Sequence, residues 1–563
     1  MAVGPSALSV GAGSWSRSEM SAIEGPSAPQ NSYGDLSHAD VIVVGAGIGG
    51  LTCAAYLSQL GKRVIVVDQH SIAGGNASIF THEGYEFDVG VHYIGDCEPG
   101  GAFPSMLEPL GIELEWNELD PDGYDNYYFA DGTTFRMPKG VERFRSRLHE
   151  RFPDEKRCID AYVDTVRDID AELTGDKPPE VFLQHMDTTL QSFLEPYQPT
   201  PRLATMLAAQ HGVYALPPSE ASLIMHALVV MHYFKGAYYP KGGGQVFADR
   251  LCEVIRRNGG DVVLRTRVRR IVVEDGKAVG VELQAPSPER AKGVPDEIHA
   301  PIVISNADLK RTVLDLVGVE HCPADYVERV EGFEMALPIF VVYLILDRDL
   351  GAEGFSNGNL FYCGTDDIEG AYSSLEAGRL DEQAMVYITL SSLKDPSNDR
   401  LCRPGQTNLQ VMTLAPRDHD FWGVEGGPVA GERYRRNAVY LARKKTMRDA
   451  AVAAAAEIIP GLEESIVYEE TATPITHERY IRSTGGTSYG IKCTPEQMLM
   501  RRPSFDTPIE GFYVVGASAM MGHGIAGAMA GGVSCASTVS GTNARVAAAE
   551  AYAKSVGALS TQA

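Results

Sequence analysis

Apolar positions along the chain fall into distinct periods. From Val41 to Val44 the sequence VIVV is apolar at every step, the mark of a strand buried on both faces of a parallel sheet, and it runs straight into Gly45, Gly47 and Gly50. Leu51, Ala54, Ala55, Leu57 and Leu60 then recur at helical spacing, and Gly61 offers a left-handed stop. RVIVVD follows as a second strand ending at Asp68, so the pattern predicts a β-α-β unit. Between about 106 and 234 helical periodicity takes over, as in CIDAYVDTVRDIDAEL, where Ile159, Tyr162, Val163, Val166 and Ile169 share one face. From Ala237 the pattern predicts a glycine-rich loop, an amphipathic helix, and strands separated by a turn at Glu274-Asp275-Gly276-Lys277. PIVISNAD (301–308) and FYVVG (512–516) read as further buried strands, the second feeding a helix start at GHGIAGA. Residues 311–499 mix short strands and helices without an internal repeat. Residues 1–37, rich in Ser, Gly, Ala and Pro, bury too little to order themselves and are expected to form a disordered tail.

Composition narrows the class. With 563 residues, 44% hydrophobic and 22% charged, the chain is an ordinary globular protein of more than one structural unit. Forty-nine basic against 74 acidic residues give a formal charge of −25, which opposes the phosphate attraction that nucleic-acid binding needs. No nucleic-acid partner is expected. Nine cysteines without a CxxC pair fit neither a disulfide framework nor a zinc module. No metal is expected, and reduced thiols with no leader-like N-terminus point to a cytoplasmic setting. The longest apolar run, Met335 to Leu346, has twelve residues and contains Pro338. That is short of the ~20 a membrane helix needs and reads as a buried strand. Transient membrane contact through surface loops stays open, as does the oligomeric state.

The glycine triplet carries the first specific chemistry. Gly45 permits a tight turn, Gly47 lets backbone N–H groups approach a pyrophosphate, Gly50 allows close helix–strand packing, and the helix N-terminus favours negative charge. Asp68, 23 residues after Gly45, stands where an acid accepts a ribose hydroxyl. An acid there favours a 2′-hydroxyl and leaves NAD or FAD open. The strand and helix start at 512–526 bring a second positive helix terminus to the same crevice, which a flavin can use along its N1–C2 edge. Other candidates carry less. Lys241 in YPKGGG lacks the GKS or GKT of a phosphate loop, and His226 and His232, six apart, do not share a helix face.

In the stretches VIVVGAGIGGLTCAAYLSQLGKRVIVVDQHSIAGGNASIF, GYEFDVGVHYIGD, SEASLIMHALVVMHYFKGAYYPKGGGQVFADRL, VISNADL and FYVVGASAMMGHGIAGAMAGGVSCA, the chain resembles the phytoene-desaturase-like flavoproteins. Within them it is most similar to retinol saturases and carotenoid isomerases. The resemblance implies an α/β fold: a Rossmann-like, p-hydroxybenzoate-hydroxylase-like FAD-binding domain with a discontinuous α+β substrate domain. By matched position the FAD domain comprises 38–105, 235–310 and 500–545, the substrate domain 106–234 and 311–499, and a C-terminal tail 546–563. Gly45, Gly47, Gly50 and Asp68 would hold the ADP half of FAD, with Gly74 and Gly75 approaching the pyrophosphate or flavin. Val268 would meet the adenine, and Gly516, Gly524, Ile525 and Ala526 would lie along the isoalloxazine. His92, Tyr93 and His523 are the candidate catalytic groups, as proton donors beside a hydride carrier. Tyr214 and Tyr233 are candidate pocket-lining residues, and Met520 and Met521 a candidate pliable wall.

The activity implied is saturation or desaturation of a carbon–carbon bond in an apolar isoprenoid or polyene. A redox-neutral isomerase or hydratase using the same FAD is the alternative. Hydration would need a carboxylic acid beside the alkene, for which Glu83, Asp88 and Asp96 are the nearby candidates. A catalytically silent flavin-binding protein is the third class.

Overall fold

The computed structural model describes residues 35–284, 294–379 and 385–560. Five short strands form one parallel sheet in the order Asp261–Val263, Val64–Val67, Val41–Val44, Val303–Ser305, Phe512–Val514. Val41–Val44 and Val64–Val67 are buried at all four positions, as continuous apolar runs demand of a parallel sheet covered on both faces. The helix Ile48–Gln59 follows the first strand and packs against Gln245–Arg257 and Gly524–Ser540. Its contact with the last is close because both sides are glycine: a Cβ on Gly532 would stand 2.6 Å from the Gly49 carbonyl oxygen. The sheet therefore gathers strands from three distant stretches of chain. Arg267–Glu274 and Lys277–Gln284 form a hairpin whose turn residues, Asp275 and Gly276, both have left-handed φ.

A second, seven-stranded sheet runs Ile466–Ala472, Ile339–Leu346, Thr407–Leu414, Met385–Thr389, Asn359–Cys363, Asp125–Phe129, Thr134–Met137. It is antiparallel except where Asn359–Cys363 meets Asp125–Phe129. The apolar run anticipated at 335–346 is a strand from Ile339, just beyond Pro338, and lies between two partners. Helix Lys156–Leu173 buries Ile159, Tyr162, Val163, Val166 and Ile169 against Leu223–Phe234. No helix among the described residues is long and apolar enough to cross a membrane.

Three sequence-based boundaries change. Most of the N-terminal tail, residues 1–34, lies outside the described residues, but Leu36 is buried and the Ser37 carbonyl accepts from His299 N–H at 3.0 Å, so the ordered core begins before residue 38. The C-terminal stretch is a helix, Ala544–Ser560, with Ala544 and Ala548 fully buried. Alanine's high helix propensity and small side chain let it pack closely without the large apolar residues that signal amphipathicity. Finally the hairpin Ile79–His82 and Tyr85–Asp88, placed by sequence with the FAD domain, packs Tyr85 and Phe87 on Val341, Tyr343, Ile345 and Met412 of the seven-stranded sheet.

Candidate active site

A cavity of about 1370 Å³ opens at the carboxyl end of the parallel sheet, lined by the strand-terminal Val44 and Val67 and by the loops that follow them. That is where open α/β sheets bind ligands. Gly45, at φ 97°, makes the turn out of the first strand, and Gly74, at φ 124°, pairs with Gly47 across the cavity floor. A Cβ on Gly47 would meet Asn306 Nδ2 at 2.6 Å, and one on Gly75 would meet Gly47 Cα at 3.2 Å, so the surface between them is bare backbone. Gly50 is a packing glycine: its N–H donates to Asn306 Oδ1 at 2.9 Å, and a Cβ would stand 2.6 Å from the Gly45 carbonyl oxygen. Asn306 thus fastens the helix start to the Val303–Ser305 strand, a role the sequence reading missed although SNAD was among its matching stretches.

Asp68 accepts from the N–H of Ala46 and of His70, both at 2.7 Å, and burial raises its pKa. Val268 lines the same cavity, as do Gly516, Gly524 and Ile525. Ala526 does not: it is half-buried and packs against the core of the parallel-sheet domain. Two helices, Ile48–Gln59 and Gly524–Ser540, begin without a side-chain cap or an acid in the first turn. In the first of them Asn306 takes the Gly50 N–H; the N–H groups before it, like those that open the second helix, are left for an anion. A glycine-floored cleft, an uncapped helix start, a buried acid at the end of the second strand and a cavity above the ~300–1,000 Å³ usual for one ligand together fit FAD with room for a second occupant.

The opposite wall comes from the seven-stranded sheet. Ile339, Val341 and Tyr343 line the cavity, while Phe340, Val342 and Leu344 pack in the core behind, as period-2 alternation requires. Phe80, Met412 and Ala472 extend this apolar surface. Met412 supplies the thioether expected of Met520 and Met521. Met520 packs against the core, Met521 is solvent-exposed, and neither lines the cavity.

The candidate catalytic groups separate. His92 lines the cavity, its Nδ1 buried without a partner. Burial, followed by the nearby Lys394 ammonium, pushes its pKa down to about 3, so it stands as a neutral imidazole, a weak form of the proton donor expected. Tyr93 faces away: its hydroxyl donates to Asp125 Oδ2 at 3.1 Å and its ring stacks on Tyr233 at 4.2 Å between centroids. His523 is buried behind the wall, with Nδ1 3.4 Å from Cys493 Sγ and its ring 4.9 Å from that of Tyr489, which does line the cavity. Burial and Arg502 hold its pKa at about 3. Neither Tyr93 nor His523 reaches the cavity, because the residues beside them in sequence, His92 and Gly524, take the inward positions.

The remaining candidates are engaged elsewhere. Tyr214 and Tyr162 hydroxyls hold the two ring nitrogens of His226 at 2.9 and 2.6 Å, and His232 Nε2 accepts from Gly95 N–H at 2.8 Å. Tyr214 is a core residue, Tyr233 is half-buried against the core, and neither lines the cavity. Asp88 is buried, accepts from Tyr239 Oη–H and Gly244 N–H, and is pushed up to about 6 by burial.

Behind His92 lies a polar network that the sequence did not reveal. Lys394, fully buried, donates to the His92 carbonyl at 2.7 Å, to Asn359 Oδ1 at 2.5 Å and to Thr389 Oγ1 at 2.6 Å. The Asn359 amide passes on to Asp125 Oδ1 at 2.7 Å. Burial brings the Lys394 pKa down to about 7 and raises that of Asp125 to about 6. The loop bearing His92 is thereby pinned from beneath.

Comparison with known proteins agrees with this geometry. The model of the family "Flavin containing amine oxidoreductase" matches residues 48–390. The chain is 29% identical over 549 residues to an all-trans-retinol 13,14-reductase of Danio rerio, covering 90% of this chain and 86% of that one. It is 24% identical to the chloroplastic prolycopene isomerase 1 of an Oncidium hybrid cultivar, covering 94% and 88%. Among solved structures, an oxidoreductase from Methanosarcina mazei superposes with a TM-score of 0.60 at 18% identity, covering 88% of this chain and 99% of that one, and shares the fold.

Proposed function

The chain belongs to the flavin-containing amine oxidoreductase family, and from that premise we propose that it is an FAD-dependent oxidoreductase that adds or removes two hydrogens at a carbon–carbon bond of an apolar isoprenoid or polyene. The observation that carries this reading is the wall Ile339, Val341, Tyr343 and Met412 facing the glycine-lined FAD cleft within one cavity. Bound FAD supplies two-electron chemistry at carbon. The chain's own residues hold the cofactor's ADP half at Gly47 and Asp68, exclude water from the reacting bond with the apolar wall, and present a neutral His92 ring that can hold one hydrogen bond without carrying charge. A polyene leaves few polar groups to recognise, so shape and desolvation do most of the binding.

The prolycopene isomerase relative supports redox-neutral isomerisation as the second reading. Hydration has less support. The carboxylates lining the cavity among the described residues are engaged: Asp68 by two backbone N–H groups, Asp308 by Thr484, Asp315 by Arg311, Glu470 by Lys444. Anaerobic incubation of the FAD-loaded protein, with and without dithionite, against terpenoids from acyclic monoterpenes to retinol and lycopene decides between them. A mass change of two hydrogens is expected. Unchanged mass with a new retention time overturns net redox, and a gain of one water would restore hydration.

The cavity's outer rim suggests how such a substrate arrives. Tyr434, Arg435, Leu441 and Lys444 line it, Leu441 and the neighbouring Val439 are exposed, and Arg433, Arg435, Arg436 and Arg443 are exposed without an ion pair among the described residues. Basic and apolar side chains together suit an anionic lipid surface, worth about 1 kcal/mol per basic residue. Flotation with phosphatidylglycerol vesicles should recover the protein, and Arg435→Glu/Arg436→Glu should lower the bound fraction at least tenfold. Equal recovery with neutral phosphatidylcholine vesicles would remove the proposal.

A further inference from the structure

Arg502 is a guanidinium at 1% exposure in a chain of formal charge −25. Among the described residues no carboxylate touches it. Nε donates to the Ala519 carbonyl at 3.0 Å and Nη2 to the Ala517 carbonyl at 2.7 Å. Nη1 is shared among the Ile491 carbonyl at 3.3 Å, Cys493 Sγ at 3.3 Å and the Gln497 carbonyl at 3.4 Å. These acceptors engage all three nitrogens and cancel none of the charge. The titratable neighbours do not cancel it either. Burial pushes the Cys493 thiol up, away from thiolate, and His523 is neutral, while the Arg329 side chain nearby is itself cationic.

The position of this charge is specific. The two carbonyls held by Nε and Nη2 belong to the turn whose residues Val515 to Ser518 line the cavity together with Gly74 and Gly75, and which precedes the uncapped helix start at Gly524. A buried cation is costly unless something negative answers it. Within a weakly screened interior it lowers the free energy of any negative charge placed across that turn. Two-electron reduction of a flavin places a proton on N5 and leaves negative charge along the N1–C2 edge.

We propose that Arg502 is a positioning residue whose unpaired charge, acting across the Ala517–Ala519 turn it holds, makes the cavity bind reduced FAD more tightly than oxidised FAD. This rests on FAD occupying the cavity, as the family and the site geometry indicate. By linkage, tighter binding of the reduced form raises the reduction potential by the same factor. A cation that only braced the turn would affect folding and FAD content without that shift.

The test is an anaerobic, dye-equilibrated reduction of the FAD-loaded full chain with xanthine and xanthine oxidase. In Arg502→Met the ratio of reduced to oxidised FAD at a fixed reference potential should fall at least tenfold, about 30 mV for a two-electron couple. In Arg502→Lys, which keeps the charge, it should change less than threefold. Cys493→Asp sets a carboxylate beside Nη1 and should reproduce the fall with the arginine in place, which decides the matter if Arg502→Met does not fold. Wild-type holoprotein should also stand at a higher potential than free FAD in the same buffer. A loaded Arg502→Met or Cys493→Asp protein within threefold of wild type, or a wild-type potential at or below that of free FAD, overturns the role of Arg502 and leaves the carbon–carbon reading intact. A chain that takes up no FAD overturns both.

Discussion

Acidification from pH 6 to pH 4 should cost this protein at least about 5 kcal/mol of folding stability, with net proton uptake on unfolding. His211, His226, His477 and His523 are each at most 8% exposed and held neutral by burial, with pKa values of about 3, 3, 4 and 3. Below their ordinary value near 6.5 the unfolded chain takes up a proton at each that the folded chain refuses, so stability falls as pH falls. Asp88 and Asp125 act in the opposite sense. Burial raises both to about 6, so between about 6 and 3.8 the folded state holds two protons that the unfolded state lacks. Four against two leaves about two protons, or about 2.7 kcal/mol per pH unit, and the less fully covered His92 and His232, at about 3 and 4, add to it in the same direction. Against a typical total of 5–15 kcal/mol, that brings the protein close to acid unfolding near pH 4. Urea unfolding followed by circular dichroism at pH 7.5, 6, 5 and 4.5 measures the slope. A midpoint that is flat or rises on acidification would show that these histidines are not buried as neutral rings.

Asp68→Leu should give a colourless protein that is also weaker as apoprotein. Its carboxylate satisfies the N–H groups of Ala46 and His70, so removing it leaves two donors unpaired at about 1–3 kcal/mol each. The turn that carries Gly45 and Gly47 keeps its Gly45 N–H bond to the Val67 carbonyl but loses its side-chain tie at the end of the second strand, and the ribose loses its acceptor. Asp68→Asn, which can still accept one of the two bonds, should fall between wild type and Leu. Absorbance near 450 nm per mole of purified protein, with thermal melts of the apoproteins, separates cofactor loss from destabilisation. A yellow Asp68→Leu protein with full FAD content would mean that the acid does not hold the cofactor.

Much of the cofactor cleft was legible before any coordinates. Gly45, Gly47, Gly50 and Asp68 sit within one β-α-β unit, where short-range spacing and steric rules determine the geometry; the structure uses Gly50 for helix packing and brings Gly45, Gly47 and Asp68 together with Gly74, Gly75, Val268, Gly516, Gly524 and Ile525 around one cavity. Catalytic assignments fared worse. His92 and Tyr93 are adjacent in sequence, yet one faces the cavity and the other Asp125 and Tyr233. The hairpin at 79–88 was assigned by its place along the chain, whereas its aromatic residues pack on the other sheet.

The chain by itself determined the local elements, the glycine-and-acid cradle and the apolar character of the central strand at Ile339–Leu346, because each depends on side-chain size, backbone freedom or periodicity within a few residues. Only the tertiary structure decided which charges are buried and what answers them. Lys394 meets the His92 carbonyl across 302 positions of sequence, Asn306 meets Gly50 across 256, and Arg502 finds five neutral acceptors and, among the described residues, no acid. The reason is physical. A residue's pKa and its influence on a bound group depend on desolvation and on charges within a few ångströms, and those distances do not exist until distant strands are placed side by side.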